Sequence, residues 1–349
     1  MAASSPRTKR LSVAALAVLA LTSTALTYQL HRTPAGHADP AASAPLPSHP
    51  DAGAASYTYD RLSGPARTVV RDATGGVAAT LTDGARTAVL TGPSRTFTEP
   101  HTTKAKIVTD SWVRLMPQPW KAGTEKEKWF TDWFAAFHRS TRPDLLAISL
   151  QYVKGAPRKK DRQGLRYAGP ATFGPPDPHG SPAGGPHRRP SDFYHYLGRP
   201  WTFPDRKNAL PDKSRYGAVD SAGYVRLVYG YRGGYALLGT DRVGPGLPRT
   251  ANGIASVGPG VPVIPHRGTR PSELDTLQPG DLLFFDTDRQ NGPRLDHMGI
   301  YLGLDTDGHP RFLSSRERNN GPTFGDAGGS SRIDGAGTYA NSLREAKRL

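Results

Sequence analysis

From Tyr57 to about Phe97 the chain alternates apolar and polar positions in short runs. RTVVRD and GVAATLTDG flank Ala-Thr-Gly, which predicts a β-hairpin with glycine at its turn, and TAVLTG follows as a third strand. Lys106–Met116 reads as a further strand, with Val108, Trp112 and Leu115 available to a core. Across Glu125–His138 the period changes. Trp129, Trp133 and Phe137 recur every four residues with Phe134 alongside, predicting an amphipathic helix that buries an aromatic stripe.

Pro143 and Asp144 then open LLAISLQYV, a second predicted helix. Residues 155–215 read as loop, with a Pro/Gly-rich insertion at about 170–215; loops of that length are often functional. In YGAVDSAGYVRLVYGY, Asp220 is an acidic cap and Tyr224, Val225 and Val228 share one helical face. Ser221 lies on that same inward face. Beyond it come strands: Leu282–Phe285 after a Pro-Gly turn, then DHMGIYLG, with Met298, Ile300 and Leu302 on one side and His297, Gly299 and Tyr301 on the other. Asp305-Thr306-Asp307-Gly308 lacks the remaining ligands of a calcium loop and reads as a turn into the strand RFLSS. TYANSLREAKRL reads as a closing helix with Tyr339, Leu343 and Ala346 inward. The order predicts an α+β chain: a small β-rich α+β domain over 57–142, then a domain over 143–349 in which helices precede antiparallel strands.

Composition sharpens the picture at three points. The 349 residues include 39 Gly and 33 Pro, about a fifth of the chain, which fits two folded domains with long loops rather than low complexity throughout. There is no cysteine, so disulfides, thiolate chemistry and Cys-based zinc sites are excluded, and no cofactor is expected. The net charge of +15 favours an anionic partner, yet no nucleic-acid module and no aromatic–basic interleaving is present. At the N-terminus, Arg7, Lys9 and Arg10 precede the apolar run Leu11–Leu21. Ser23-Thr24-Ala25 and Gly36-His37-Ala38 each offer a small-x-small cleavage site. Residues 1–30 are therefore expected to be an export signal, or an uncleaved membrane anchor reaching Leu30. Residues 31–56 are an Ala/Pro/Ser/His linker. A secreted or surface-held protein follows.

Two side chains could carry chemistry. Ser221 sits at the positive end of a helix, and His297 starts a strand on the side opposite Met298 and Ile300; together they suggest a nucleophile and a base. A serine at a helix start is ordinarily a cap, and a lone histidine is ordinarily structural. A Gly-x-Ser-x-Gly elbow is ruled out because Val219 stands where its first glycine belongs.

The motif order resembles the NlpC/p60-type cell-wall peptidases, papain-like enzymes that cut peptidoglycan stem peptides. It comprises Asp220-Ser221-Ala222-Gly223, Leu247-Pro248-Arg249, Pro279-Gly280-Asp281-Leu282 with Phe284-Phe285, and His297-Met298-Gly299-Ile300-Tyr301-Leu302-Gly303. The resemblance spans about 144–349 and implies a papain-like fold, a wall-peptide substrate and anionic wall polymers as further partners. It implies Ser221 at the nucleophile position, His297 as base and Ser314 as the third group, with Ser315 and Asn319 as neighbouring options. Asp220 and Tyr167, the latter near Gly169, would support the oxyanion side. Ser221 stands where that family has cysteine. A thiol starts near pKa ~8.5 and a helix N-terminus with a histidine brings it to neutrality; a serine hydroxyl starts several units higher, and the helix supplies at most about one and a half units. Two outcomes are expected from that swap: weak serine-dependent hydrolysis, or a non-catalytic wall-binding relative.

Overall fold

The computed structural model describes residues 56–178, 188–205, 208–288, 290 and 292–349; the expected export segment and nearly all of the linker lie outside them. Five antiparallel strands come first: β1 (Thr58–Leu62), β2 (Arg67–Arg71), β3 (Val77–Thr82), β4 (Thr87–Thr98) and β5 (Lys106–Leu115), paired in chain order. The β2–β3 hairpin closes because Asp72 Oδ1 accepts from the Thr74 and Gly76 amides while Gly75 takes a positive φ of 83°. Helix α1 (Lys128–Phe137) packs on this sheet with Val70, Leu81, Leu90, Trp112 and Trp120. Its buried stripe is Phe130, Trp133 and Phe134. The expected stripe is therefore turned by one residue: Trp129 and Phe137 sit at its margin, and the Trp129 indole donates to Glu127 at 2.7 Å.

Helix α2 (Leu145–Ser149) is capped by Asp144, whose Oδ1 accepts from the Ala147 amide at 3.0 Å. The same carboxylate receives Arg95 at 2.7 Å and the Val113 amide at 2.6 Å, so α2 is pinned to β4 and β5. The predicted loop 155–215 carries more order than its composition suggested. It contains the hairpin β6 (Lys159–Lys160) and β7 (Arg166–Ala168), and helix α3 (Phe193–Leu197), whose Phe193, Tyr196 and Leu197 are core residues. Residues 179–187 of the insertion lie outside the description.

Helix α4 (Ser221–Val225) continues as a wider π-type turn over Arg226–Arg232, all of it buried. After α5 (Ala251–Ser256) comes the second sheet. Its strands are β8 (Val261–Ile264), β9 (Leu282–Phe285), β10 (His297–Leu304), β11 (Pro310–Arg316), β12 (Gly321–Thr323) and β13 (Leu343–Arg348). The order is β12-β11-β10-β9-β13-β8, antiparallel throughout. The fold class is α+β. Met298, Ile300 and Leu302 face the core shared with α4; Tyr301 faces a second core with Phe285, Phe312 and Tyr339. Gly299 keeps that second side compact, because a Cβ there would meet Phe312 at 2.5 Å.

The closing helix is a correction. Only Thr338–Ser342 is helical (α6); from Leu343 the chain runs as β13 between β9 and β8. A bulge between Leu343 and Glu345 shifts the register, and Leu343 and Ala346 both reach the second core. That i, i+3 pair mimics helical spacing. Arg348, fully buried, forks onto Asp281 through Nε and Nη2, each at 2.8 Å, and reaches Thr82 of the first sheet through Nη1 at 2.7 Å.

Candidate functional site

Ser221 opens α4 and lines a cleft of about 750 Å³ whose walls include Asp220, Arg249, Asp296, His297 and Tyr339. Helix capping does not occupy Ser221, because Asp220 is the cap and its Oδ1 accepts from the Gly223 amide at 2.6 Å. Gly223 is required by close approach, since a Cβ would fall 2.3 Å from the Ser191 carbonyl oxygen. Ser221 is 6% exposed, and among the described residues its hydroxyl has no hydrogen-bond partner, His297 included. Its hydroxyl is uncommitted within the described protein and opens onto the cavity.

His297 enters the same cleft from the start of β10. Its ring is flanked by Tyr339, centroid to centroid 5.0 Å, and Phe285, 5.8 Å. Burial among these rings pushes its pKa down to about 3, and the nearby Arg316 cation adds to the effect. At neutral pH the imidazole is therefore uncharged. The shift corresponds to about 4–5 kcal/mol against the imidazolium.

Behind His297 lies Ser314, fully buried, with Oγ 3.1 Å from His297 Nε2. Arg316, also fully buried, donates through Nε to the same Ser314 Oγ at 3.2 Å. Its Nη1 is held by the Gly325, Ala327 and Gly329 carbonyls, and its guanidinium lies 4.7 Å from the Tyr339 ring centroid. Burial lowers its pKa to about 10, so it stays cationic at pH 7. An arginine only donates. Among the described residues the Ser314 proton is thus left with one acceptor, His297 Nε2, and the neutral ring carries its own proton on Nδ1. The tautomer is assigned from these partners. Nδ1 is the only ring nitrogen left for Ser221 or a ligand, and in this arrangement it is a donor and cannot take the Ser221 proton.

The other proposed third groups point elsewhere. Ser315 donates to the Val219 carbonyl at 2.6 Å, which ties β11 to the entry of α4, and Asn319 donates to Gly321. Tyr167 stands apart from the cleft. Its carbonyl accepts from Tyr152 at 2.9 Å and its ring lies under the Arg232 guanidinium, 4.8 Å away. It buttresses β7 rather than the space above Ser221.

Below the cleft runs a chain of charges that composition and spacing did not expose. Arg226, fully buried, forks onto Asp192 at 2.9 and 3.0 Å and also donates to the Leu247 and Pro248 carbonyls. Arg249 reaches Asp220 at 2.6 Å and Asp192 at 3.5 Å. Burial alone would raise the Asp192 pKa; Arg226 and Arg249 outweigh it and hold the carboxyl below its ordinary range. Likewise Asp220 and Asp192 raise Arg249 against the effect of burial. The network clamps the start of α4 to the α3 segment and to the loop before α5. Arg316 was legible in principle: alternation carried two residues past Ser314 places it on the face of Phe312 and Ser314. Among the described residues no group of His, Asp or Glu is arranged to hold a metal ion.

No family model matches the chain, and no curated protein matches it.

Proposed function

We propose that residues 143–349 form a papain-like, NlpC-type domain that binds peptidoglycan stem peptides at the cell surface without cutting them. The support for ancestry is the order of the four motifs, together with a cleft lined by both Ser221 and His297. The observation that carries the loss of catalysis is the chain Arg316 Nε–Ser314 Oγ–His297 Nε2. A serine nucleophile must give its proton to the histidine during attack, and the imidazolium so formed must be stabilised by the third group. With the ring proton assigned to Nδ1, the accessible nitrogen is a donor, and the group behind the ring is itself held by a cation. Both features act in the same direction as the replacement of a thiol by a hydroxyl. Binding needs neither: the Ser221 hydroxyl and the Nδ1 hydrogen are available to peptide carbonyls in a mostly buried site.

The test is a muropeptide assay with wild type, Ser221→Ala and Ser221→Cys. Saturable binding by wild type, with no new amine released over hours, is expected. Ser221→Ala should weaken binding by about five- to tenfold through loss of one hydrogen bond. Turnover by wild type that vanishes in Ser221→Ala would establish a working serine hydrolase instead. Absence of binding by all three would remove the assignment of the cleft.

A further inference from the structure

The β6–β7 hairpin and the segment leading into it present Lys154, Arg158, Lys159, Lys160 and Arg162, all exposed. None of the five forms an ion pair with a described carboxylate. The single acidic residue of the segment, Asp161, spends its Oδ1 on the Gln163 and Leu165 amides at 2.9 and 2.8 Å. Runs of like charge are ordinarily disordered. This one is ordered. The turn closes through Asp161 N to Leu165 O at 2.9 Å and Gly164 N to Asp161 O at 3.0 Å. The base is fixed by Gly169 N to Gln151 O, by Ala171 N to Tyr152 O, and by Tyr196 donating to Gly169 O at 2.8 Å. Arg158 itself packs over Gly169, where a Cβ would stand 2.8 Å from its Cγ. Neighbouring cations ~7 Å apart repel by roughly 0.6 kcal/mol in water before screening. A rigid hairpin that keeps them together is complementary to a partner that supplies the missing negative charge.

We propose that this hairpin is a docking site for a flexible polymer that carries one phosphodiester per repeat and no bases, of the poly(glycerol phosphate) kind. The choice among polyanions follows from what surrounds the charges. Among the described residues the exposed large apolar side chains are Leu62, Val77, Val108, Leu210, Tyr216, Val243 and Leu304; none lies in 154–168, so the charged segment offers no large exposed apolar side chain to a bilayer. The aromatic ring of the hairpin, Tyr167, is covered by Arg232 and offers no platform for a base. What remains is point-charge recognition of phosphates along a chain. None of the five cations lines the Ser221 cleft, so this site stands whether or not the cleft reading holds.

The experiment measures binding of the full chain to poly(glycerol phosphate) by anisotropy at 50 and 200 mM NaCl. Five phosphate contacts at about 0.7 counterions each predict a log–log salt slope near −3.5, an affinity loss of roughly 100-fold across that range. The variant R158Q/K159Q/K160Q/R162Q should bind at least tenfold more weakly at 50 mM, with the slope reduced to about −0.7, while its thermal melt matches wild type. Binding by the variant that equals wild type would overturn the proposal by placing the charge contact elsewhere. Tighter binding to vesicles containing phosphatidylglycerol, or to single-stranded DNA of matched charge, would overturn it in favour of a lipid or nucleic-acid surface.

Discussion

Removing one hydroxyl, in Ser314→Ala, tests the arrangement that decides whether His297 can act as a base. In the wild type Ser314 accepts from the Arg316 cation and its Oγ lies 3.1 Å from His297 Nε2, to which the Ser314 proton is assigned. A hydrogen bond backed by a charged donor contributes about 1.5–3 kcal/mol, which favours the Nδ1–H tautomer by roughly 10- to 150-fold. Because burial and Arg316 hold the His297 pKa at about 3, the ring is neutral from pH 5 upward and the tautomer can be read directly. The assay is long-range ¹H–¹⁵N correlation of the imidazole at pH 7. Wild type should show a protonated Nδ1, and Ser314→Ala should lose that preference by the same factor. Ser314→Thr, which keeps the hydroxyl, should retain it. The alanine variant leaves Arg316 Nε unpartnered in the interior and should lose about 1–3 kcal/mol of stability, so it is compared while still folded. A wild-type spectrum with the proton on Nε2 would refute the reasoning, because the accessible nitrogen would then be a free base.

Three further outcomes follow. Since the folded pKa of His297 lies below its unfolded value of 6.5, its contribution to stability is complete above pH ~6.5 and is lost as pH falls toward 3; the stability difference between wild type and His297→Gln, from urea melts, should shrink by about 4 kcal/mol between pH 7 and pH 3, and parallel curves would exclude the shift. Asp192→Asn strands Arg226 in the core and should cost about 3–5 kcal/mol, whereas the double variant D192N/R226M should regain much of it; equal melting of both would show that the pair is not coupled. Phe130→Ala should cost about 3–5 kcal/mol and Trp129→Ala clearly less, read from chemical denaturation, and the reverse order would restore the stripe expected from spacing alone.

How far the sequence could be read depended on whether a side chain's partner was near it in the chain. The alternation of Met298, Ile300 and Leu302 was legible because a strand packed on both sides keeps a period of two. The caps at Asp144 and Asp220 were legible because a cap acts over three residues. The closing strand was not, since its bulge produced helical spacing and its Arg344, Glu345, Lys347 and Arg348 look like a solvated face. Their burial depends on partners such as Asp281, 67 residues earlier, and the Ile254 and Gly258 carbonyls. Asp192 was hidden for the same reason: it sits in a segment of loop composition, and its partner Arg226 lies 34 residues on, in a helix where arginine ordinarily faces water.

That distance between partners also separates the cleft's shape from its chemistry. The start of α4 is held by Asp220, Arg249, Asp192 and Arg226, none of which takes a proton from Ser221. Reactivity would be set elsewhere, on β11, by Ser314 and Arg316 acting on His297 from behind. A change on β11 can therefore alter which nitrogen of His297 carries the proton while the clamp keeps Ser221 and its cleft in place. Clamped charges of this kind are stabilising only when every member is paired, so the floor of the cleft is intolerant of single substitutions whether or not any bond is cut above it. The physical demand on this region is a rigid concave surface with two inward-facing polar groups, which a binding site requires as fully as a catalytic one.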